Sequence, residues 1–306
     1  MAGLIHGLQH KRLGNNVTVI EQDPASERSS HQAGIGFGPS VGEFLRRYDA
    51  TGLTPAFTCH HNHVAYRTRK DFLVTKGTRN LTSWGYLYRI MRANYDGFAS
   101  SACPQPPPPR EGDGEAAYLT GKRVTGLEYN TTKQTVTVQY EDVISGRQDT
   151  IEAELVLGAD GVNSTVRRLL HGPNPQKQYA GYVSWRGTVP EKFVSGETAR
   201  YFADHISFNL LKRSYIIWYA VRTFALFPLT IMVITDVVQH DNSYVIPTDD
   251  GDFGAGERLL NFVWYTHLAE GSDEMKEVFV CTRRVLHPPL SHCSAARYTP
   301  WGRPLG

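Results

Sequence analysis

Asp160 lies between two glycines at the end of an apolar run and has the position of a ligand-binding carboxylate. Residues 155–157 predict a short strand, and a helix is expected to begin at about Ser164, a plausible N-cap. Open α/β sheets bind ligands at the carboxyl ends of their strands, where Gly158 and Gly161 would let the backbone approach a cofactor closely. Asp160 would accept hydrogen bonds from such a ligand. The alternative is a tight strand-to-helix turn with a solvated aspartate.

A second acid, Glu21, ends a pattern of helix, turn and strand at the start of the chain. Spaced apolar residues predict a helix over 2–13, and residues 17–20 predict a buried strand. In a dinucleotide-binding βαβ unit, the acid after the second strand binds a ribose hydroxyl about 20 residues beyond the glycine loop. Glu21 lies at that distance from Gly3. The first strand and the first two glycines of the loop are absent, so we expect a chain clipped at its amino end.

Other elements must position these acids. Before residue 100, the sequence predicts a glycine-rich loop over 34–38 followed by a helix, a hairpin of residues 64–66 with 71–74, and a helix over 82–92 with Leu87, Ile90 and Met91 inward. Beyond it, strands are predicted over 123–127, 135–140 and 149–157. A short extended segment over 200–202 and strands over 214–219 and 259–265 follow. The three strands before residue 158 lead directly into the Asp160 turn.

Two motifs together carry a resemblance to a known family. The run 158–161, Gly-Ala-Asp-Gly, followed by a Ser-x-Val-Arg helix, resembles the second flavin motif of the FAD-dependent aromatic-ring monooxygenases, which share the p-hydroxybenzoate hydroxylase fold. Residues 179–187, Tyr-Ala-Gly-Tyr-Val-Ser-Trp-Arg-Gly, are similar to the start of the substrate domain in the branch near salicylate and 2,6-dihydroxypyridine hydroxylases. The two motifs at this separation are far more specific than either alone.

The resemblance implies an α/β fold. It combines a Rossmann-like FAD-binding domain, here incomplete, with a second, mostly antiparallel β-sheet domain for the substrate. Enzymes of this family use NAD(P)H to reduce FAD and O₂ to hydroxylate an activated aromatic ring. The implied ligands are therefore FAD, NAD(P)H as cosubstrate, O₂ and a small aromatic substrate. The cofactor carries most of that chemistry.

The resemblance also implies further site residues. The glycine-rich segment 34–38 is similar to the loop along the flavin, with Arg28 upstream as the implied cofactor contact, and Trp84 occupies a flavin-contacting position. Tyr182, Trp185 and Arg186 are the candidates to line the substrate site. The alternatives are a surface turn for the glycines, a core aromatic for Trp84, and a sheet face packed on its own core for the last three.

The expected domain boundaries follow from these motifs. Residues 1–57 and 76–172 are assigned to the FAD-binding domain, 58–75 and 173–280 to the substrate domain with an atypical insert at 221–247, and 281–306 to an irregular tail. We expect the insert to be an unspliced intron in the gene model. The tail matches no third flavin motif, so a truncated, catalytically inactive flavoprotein-like pseudo-enzyme is the rival interpretation.

Composition excludes several other classes. The chain has 306 residues and a net charge of +2 without a basic stripe, which argues against nucleic-acid binding. The apolar run 224–238 contains Pro228 and Asp236 and is shorter than the ~20 residues of a membrane span. Four dispersed cysteines and no signal peptide predict the cytoplasm. Of three neighbouring histidines only His61 and His63 could converge on a strand, so we expect no metal site.

Overall fold

The computed structural model describes residues 1–27, 33–66, 73–172, 178–202, 205–210, 214–217 and 243–276. The chain forms two compact units. The first unit comprises residues 1–29, 43–53 and 88–177, and the second comprises residues 30–42, 54–87 and 178–306. Arg28, the turn of the predicted 64–74 hairpin, most of the predicted insert and the 281–306 tail lie outside the described residues.

The helices are α1 (Ala2–Arg12), α2 (Pro39–Tyr48), α3 (Trp84–Asp96), α4 (Thr165–His171) and α5 (Gly196–Phe202). The strands are β1 (Val17–Ile20), β2 (Gly34–Phe37), β3 (Phe57–Tyr66), β4 (Leu73–Ser83), β5 (Ala116–Leu119), β6 (Lys122–Asn130), β7 (Thr135–Asp142), β8 (Gln148–Ala153), β9 (Tyr182–Pro190), β10 (His205–Leu210), β11 (Ser214–Ile217), β12 (Ser243–Ile246) and β13 (Leu259–His267).

In the first unit, α1 leads into β1, which pairs in parallel with β5. The helix and the strand predicted for residues 2–20 are both present, but β1 is not the buried strand that was predicted, because among the described residues it has a neighbour on one side only. Leu4 and Leu8 lie one turn apart on α1 and are both buried, because residues at i and i+4 share one helix face. On α3, Leu87, Ile90 and Met91 are buried as the 3.6-residue period predicted.

The strand predicted over 149–157 is wrong at its carboxyl end. β6, β7 and β8 form an antiparallel three-stranded sheet, but β8 ends at Ala153. Residues 155–157 belong to no strand, and Leu155 and Leu157 are 61% and 47% exposed. The physical reason is that a strand needs a neighbour for its N–H and C=O groups. Among the described residues, none pairs with this segment.

The second unit contains an eight-stranded sheet, and the predicted mostly antiparallel character is confirmed. The strand order is β12-β13-β11-β10-β3-β4-β2, and β9 pairs with β13 along its whole length. The pair β10 and β3 is parallel, whereas the other pairs are antiparallel. The predicted hairpin is present as β3 and β4, with Val64 opposite Leu73.

Two element predictions for this unit are wrong. The residues predicted as a glycine-rich loop form β2, which pairs with β4 at the sheet edge. A neighbouring strand supplies hydrogen bonds that the local sequence does not show. The residues 200–202, predicted as extended, end α5 instead, where Phe202 is buried beside Val245 and Leu260. Packing of one apolar helix face therefore overrides local extended propensity.

The last residues of the segment predicted as an insert belong to the sheet. Ser243–Ile246 forms β12 and pairs with β13. Ile246 is fully buried in a core cluster with Cys59, Leu81, Ile206 and Leu259. Burial of a side chain of this size contributes about 1.5–3 kcal/mol. The remainder of 221–247 lies outside the described residues.

Candidate functional site

The Asp160 turn is built on hydrogen bonds to the first turn of α4. Ser164 Oγ donates to Asp160 Oδ1 at 2.5 Å, and the backbone N–H groups of Thr165 and Val166 donate to Asp160 Oδ2 at 2.6 and 3.1 Å. Ser164 is the N-cap, as predicted, because its Oγ accepts from the Arg167 N–H at 2.9 Å. Asp160 therefore satisfies helix N–H groups that would otherwise lack an acceptor.

These donors determine the charge of Asp160. Partial burial alone would raise the pKa of its carboxyl, but the hydrogen bonds from Ser164, Val166 and Thr165 outweigh burial and lower that pKa. Asp160 is therefore ionised at neutral pH and can only accept hydrogen bonds. That is the role the sequence suggested, although the hydrogen bonds seen here come from Ser164 and the start of α4.

Two glycines of the predicted cofactor site, Gly3 and Gly158, lie close to neighbouring side chains, whereas a Cβ atom at Gly161 would meet nothing within 4 Å. A Cβ atom at Gly3 would lie 3.5 Å from Ala159 Cβ and 3.9 Å from Val19 Cγ1. A Cβ atom at Gly158 would lie 3.0 Å from Val166 Cγ1, tighter than an ordinary contact. Gly161 has a φ of +74°, which glycine adopts readily. The structure thus brings the start of α1, the end of β1 and the Asp160 turn together.

Glu21 follows the last residue of β1. Its backbone N–H donates to the carbonyl of Leu119, the last residue of β5, and its carbonyl accepts from the N–H of Lys122, the first residue of β6. These two hydrogen bonds fix the Glu21 backbone beside the turn that joins β5 and β6. Its side-chain Oε1 accepts from the Asp23 N–H at 3.1 Å. A Cβ atom built at Gly3 would lie 3.9 Å from Val19 Cγ1, and Val19 precedes Glu21 by two residues, so Gly3 and Glu21 lie near the same part of β1.

Trp84 is the first residue of α3, and its backbone N–H donates to the carbonyl oxygen of Ala33 at 2.8 Å. The residue is partly buried. Arg28, the other flavin contact implied by the resemblance, lies outside the described residues.

The three predicted substrate-lining residues do not share one face of β9. Successive side chains on a strand point to opposite faces, so Tyr182 and Arg186 lie on one face and Trp185 on the other. The Tyr182 ring lies 5.5 Å from that of Tyr265, edge to face, and the Trp185 ring lies 6.3 Å from that of Trp264. One pocket on this sheet can therefore use Tyr182 with Arg186, or Trp185, but not all three.

One polar residue at this face was missed from the sequence. Asn261 on β13 is 1% exposed, and its Oδ1 accepts from the Gly34 N–H at 3.0 Å. Arg186 Nη2 donates to the carbonyl of the same glycine at 2.7 Å. An amide within the apolar run Leu-Leu-Asn-Phe-Val was a signal that could have found it, because buried polar groups need partners.

Within the described ranges, no group of three or more His, Cys, Asp or Glu side chains could hold a metal ion. Across the same part of the chain, each helix is too short or too polar to cross a bilayer.

Sequence comparison finds flavin-dependent relatives. A family model described as FAD binding domain-like matches residues 179–225 and 226–291. The 2,6-dihydroxypyridine 3-monooxygenase of Paenarthrobacter nicotinovorans is 31% identical over 179 residues, which cover 58% of this chain and 36% of that enzyme. The 6-hydroxynicotinate 3-monooxygenase of Pseudomonas fluorescens is 32% identical over 185 residues, covering 58% and 42%. The chain thus spans less than half the length of the curated relatives it matches.

Comparison with solved structures supports the fold. The structure of 2,6-dihydroxypyridine-3-hydroxylase from Arthrobacter nicotinovorans superposes with a TM-score of 0.59 at 24% identity, over 89% of this chain and 55% of that one. The p-nitrophenol 4-monooxygenase PnpA from Pseudomonas putida DLL-E4 gives 0.56 at 13% identity, over 91% and 59%. The chain is therefore similar in sequence to monooxygenases of this kind, as its two motifs predicted, and it has the fold of the FAD-dependent aromatic-ring monooxygenases.

Proposed function

We propose that the protein acts as an FAD-dependent, NAD(P)H-using monooxygenase that hydroxylates a small aromatic or heteroaromatic substrate with O₂. The observation that carries the proposal is the 31% and 32% identity to monooxygenases of 2,6-dihydroxypyridine and 6-hydroxynicotinate. Their names place the reaction on oxygen-substituted pyridine rings. FAD, when bound, supplies the redox chemistry, and the protein supplies binding, orientation and electrostatics.

The first unit fits a dinucleotide-type cofactor at the end of β1. Gly3, Val19 and Ala159 approach closely, and Glu21 follows the strand as a ribose-binding acid does in βαβ units. We assign Gly3, Glu21, Gly158, Asp160 and Gly161 to the cofactor site, together with Arg28 and Trp84. Asp160 would orient the cofactor as an ionised acceptor and hold α4 at the same time.

The second unit fits an aromatic substrate. Tyr182 and Tyr265 lie on one face of β9 and β13 with their rings edge to face, and the Arg186 guanidinium lies on the same face. Aromatic side chains contact a planar ligand with little loss of conformational entropy. We therefore assign Tyr182 and Arg186 to this face and Trp185 to the opposite one. The substrate domain would comprise residues 58–75 and 173–280, and the FAD-binding domain 1–57 and 76–172, as the motifs predict.

The cytoplasm is the proposed compartment, because Cys59 and Cys103 are buried thiols that suit reducing conditions. The proposed ligands remain FAD, NAD(P)H, O₂ and one small aromatic molecule.

The test is direct. The purified full chain is titrated with FAD by flavin fluorescence, then mixed with NADH or NADPH and 2,6-dihydroxypyridine while hydroxylated product is measured. Glu21→Ala should weaken FAD binding about tenfold, since a hydrogen bond to a charged group is lost. Glu154→Ala is the matched control, because Glu154 is an exposed acid of the same unit. Unchanged FAD affinity in Glu21→Ala would show that the cofactor lies elsewhere.

One observation favours the rival, an inactive flavoprotein-like protein. Leu155 and Leu157, which directly precede Gly158 of the proposed cofactor site, are exposed, and exposed apolar side chains at a site favour one that is not fully formed. A chain that stays colourless with excess FAD and oxidises no NAD(P)H would establish this rival. A yellow chain with NAD(P)H-dependent product would exclude it.

A further inference from the structure

A run of prolines lies in the connection between α3 and β5. Residues 104–109 read Pro-Gln-Pro-Pro-Pro-Pro, and Arg110 follows them. Each proline ring fixes its own φ near about −65°, and each residue that precedes a proline is held out of the helical region by steric contact with that ring. Residues 105–108 all precede a proline. The two constraints together impose the polyproline II conformation on this segment.

The proline segment lies at the surface of the first unit. Pro104, Pro108 and Pro109 are exposed, whereas Pro106 and Pro107 are half-buried. The segment belongs to no helix or strand, because a proline has no backbone N–H to donate to either. It therefore presents ring edges and carbonyl oxygens to the solvent.

The segment is held at its upstream end by Cys103, which is 5% exposed. Cys103 and Ser100 exchange two backbone hydrogen bonds, each of 3.1 Å. The Cys103 thiol also donates to the carbonyl oxygen of Gln105 at 3.7 Å. The first residues of the proline segment are thus attached to a buried side chain.

The downstream end is held by Arg110. Its Nη1 and Nη2 donate to the carbonyl oxygens of Arg47 and Asp49 at 3.1 and 3.0 Å. Its backbone N–H donates to Asp113 Oδ2 at 2.8 Å, and the buried Asp113 carboxylate is ion-paired with Arg12. Because both ends are attached to the folded unit, the segment loses little conformational entropy when it binds a partner.

We propose that residues 104–109 bind a partner protein whose groove is lined with aromatic side chains. Grooves of this kind, in SH3, WW and EVH1 domains, recognise proline segments that already have the polyproline II conformation. The partner reads the prolines, since the Arg110 guanidinium is engaged with two carbonyl groups of its own chain. This interaction is separate from the proposed hydroxylation and brings a second protein to the first unit.

The experiment titrates the purified full chain into an isolated SH3, WW or EVH1 domain that carries an isotope label, and NMR follows the aromatic residues of the groove. A synthetic peptide of residues 103–111 is titrated in parallel. At least one domain should bind through its groove. That domain should bind the full chain at least about threefold more tightly than the peptide, because the attached segment has less conformational freedom to lose.

Two variants assign the binding to the exposed prolines. Pro108→Ala and Pro109→Ala each remove a ring that contacts the groove, so each should weaken binding about tenfold. Pro24→Ala is the matched control, because Pro24 is an exposed proline of the same unit outside the segment, and it should leave the affinity unchanged. Thermal unfolding shows whether each variant is folded, and a folded variant decides even if the other is not.

Three results would overturn the inference. In the first, none of the three domains binds the full chain, and the prolines are then a rigid spacer between α3 and β5. In the second, a domain binds the free peptide but not the full chain, so the folded protein does not present the segment. In the third, the folded proline variants bind as tightly as the wild type.

Discussion

Asp160 and Ser164 are hydrogen-bonded to each other, and both side chains cap the start of α4. The Ser164 hydroxyl donates to Asp160 Oδ1 at 2.5 Å and accepts from the Arg167 N–H at 2.9 Å, while Asp160 Oδ2 accepts hydrogen bonds from the first two backbone N–H groups of α4. A carboxylate that we assign to a cofactor therefore also holds a helix start. Its structural and ligand-binding roles need separate measurements.

Asp160→Ala and Ser164→Ala separate those roles. Loss of a cap costs about 0.5–2 kcal/mol, so both variants should lower the free energy of urea unfolding by that amount. Only Asp160→Ala should also abolish FAD binding in a fluorescence titration, because it alone removes the ionised acceptor. If Ser164→Ala loses FAD to the same degree, the carboxylate acts on the cofactor only by shaping the turn.

The Glu191 and Arg258 pair should give the second unit its acid sensitivity. Arg258 Nε and Nη2 donate to the two carboxylate oxygens at 2.8 and 2.6 Å, and the Gly256 N–H adds a third bond. Burial tends to raise the pKa of Glu191, but these donors outweigh it and lower that pKa. The pair therefore stabilises the fold above the unfolded-state pKa of about 4.3, and this is lost as the pH falls through the folded value.

Glu191→Gln should lower the free energy of unfolding by about 3 kcal/mol at pH 7, because it leaves a buried guanidinium without its counter-charge. The loss should shrink as the pH falls below the unfolded-state pKa of about 4.3 and through the lowered pKa of the folded wild-type carboxyl. Urea midpoints at pH 7, 5 and 3 test this, with the exposed Glu154→Gln as control. A difference between variant and wild type that does not change with pH would contradict the assignment.

Gly34→Ala should destabilise the second unit by about 1–3 kcal/mol, because its Cβ atom would overlap the buried Asn261 amide, which has little room to move. Gly38→Ala is the control, since a Cβ atom there has no neighbour within 4 Å. Thermal unfolding of both variants measures the difference. Equal melting temperatures of the two variants would show that Gly34 on β2 does not pack closely against Asn261 on β13.

Leu157→Ala should change the free energy of unfolding by less than about 0.5 kcal/mol, because the side chain is 47% exposed and belongs to no strand. Leu87→Ala, at a buried position, should cost about 2–5 kcal/mol. Chemical denaturation measures the free energy of unfolding of the two variants and so tests both expected values. A cost of several kcal/mol for Leu157→Ala would mean that this segment is covered in solution, as the sequence originally predicted.

The amino-acid sequence determined the features that depend on near neighbours. The period of 3.6 residues located α1 and the buried face of α3, the apolar run of β13 marked a strand, and Ser164 marked the start of α4. The Gly-Ala-Asp-Gly turn, with the later aromatic run, was sufficient to predict the resemblance to the FAD-dependent aromatic-ring monooxygenases. These features were readable because the residues that form them lie within a few positions of one another.

Tertiary structure decided whatever needs a distant partner. Residues 155–157 have strand-forming side chains and form no strand, whereas the glycine-rich residues of β2 form one because β4 lies beside them. The hydrogen bonds from Gly34 to Asn261 and from Arg186 to Gly34 became visible only once β9, β13 and β2 met there. A strand's hydrogen bonds and a buried side chain's partners come from residues far away in the chain, so local sequence patterns do not specify them.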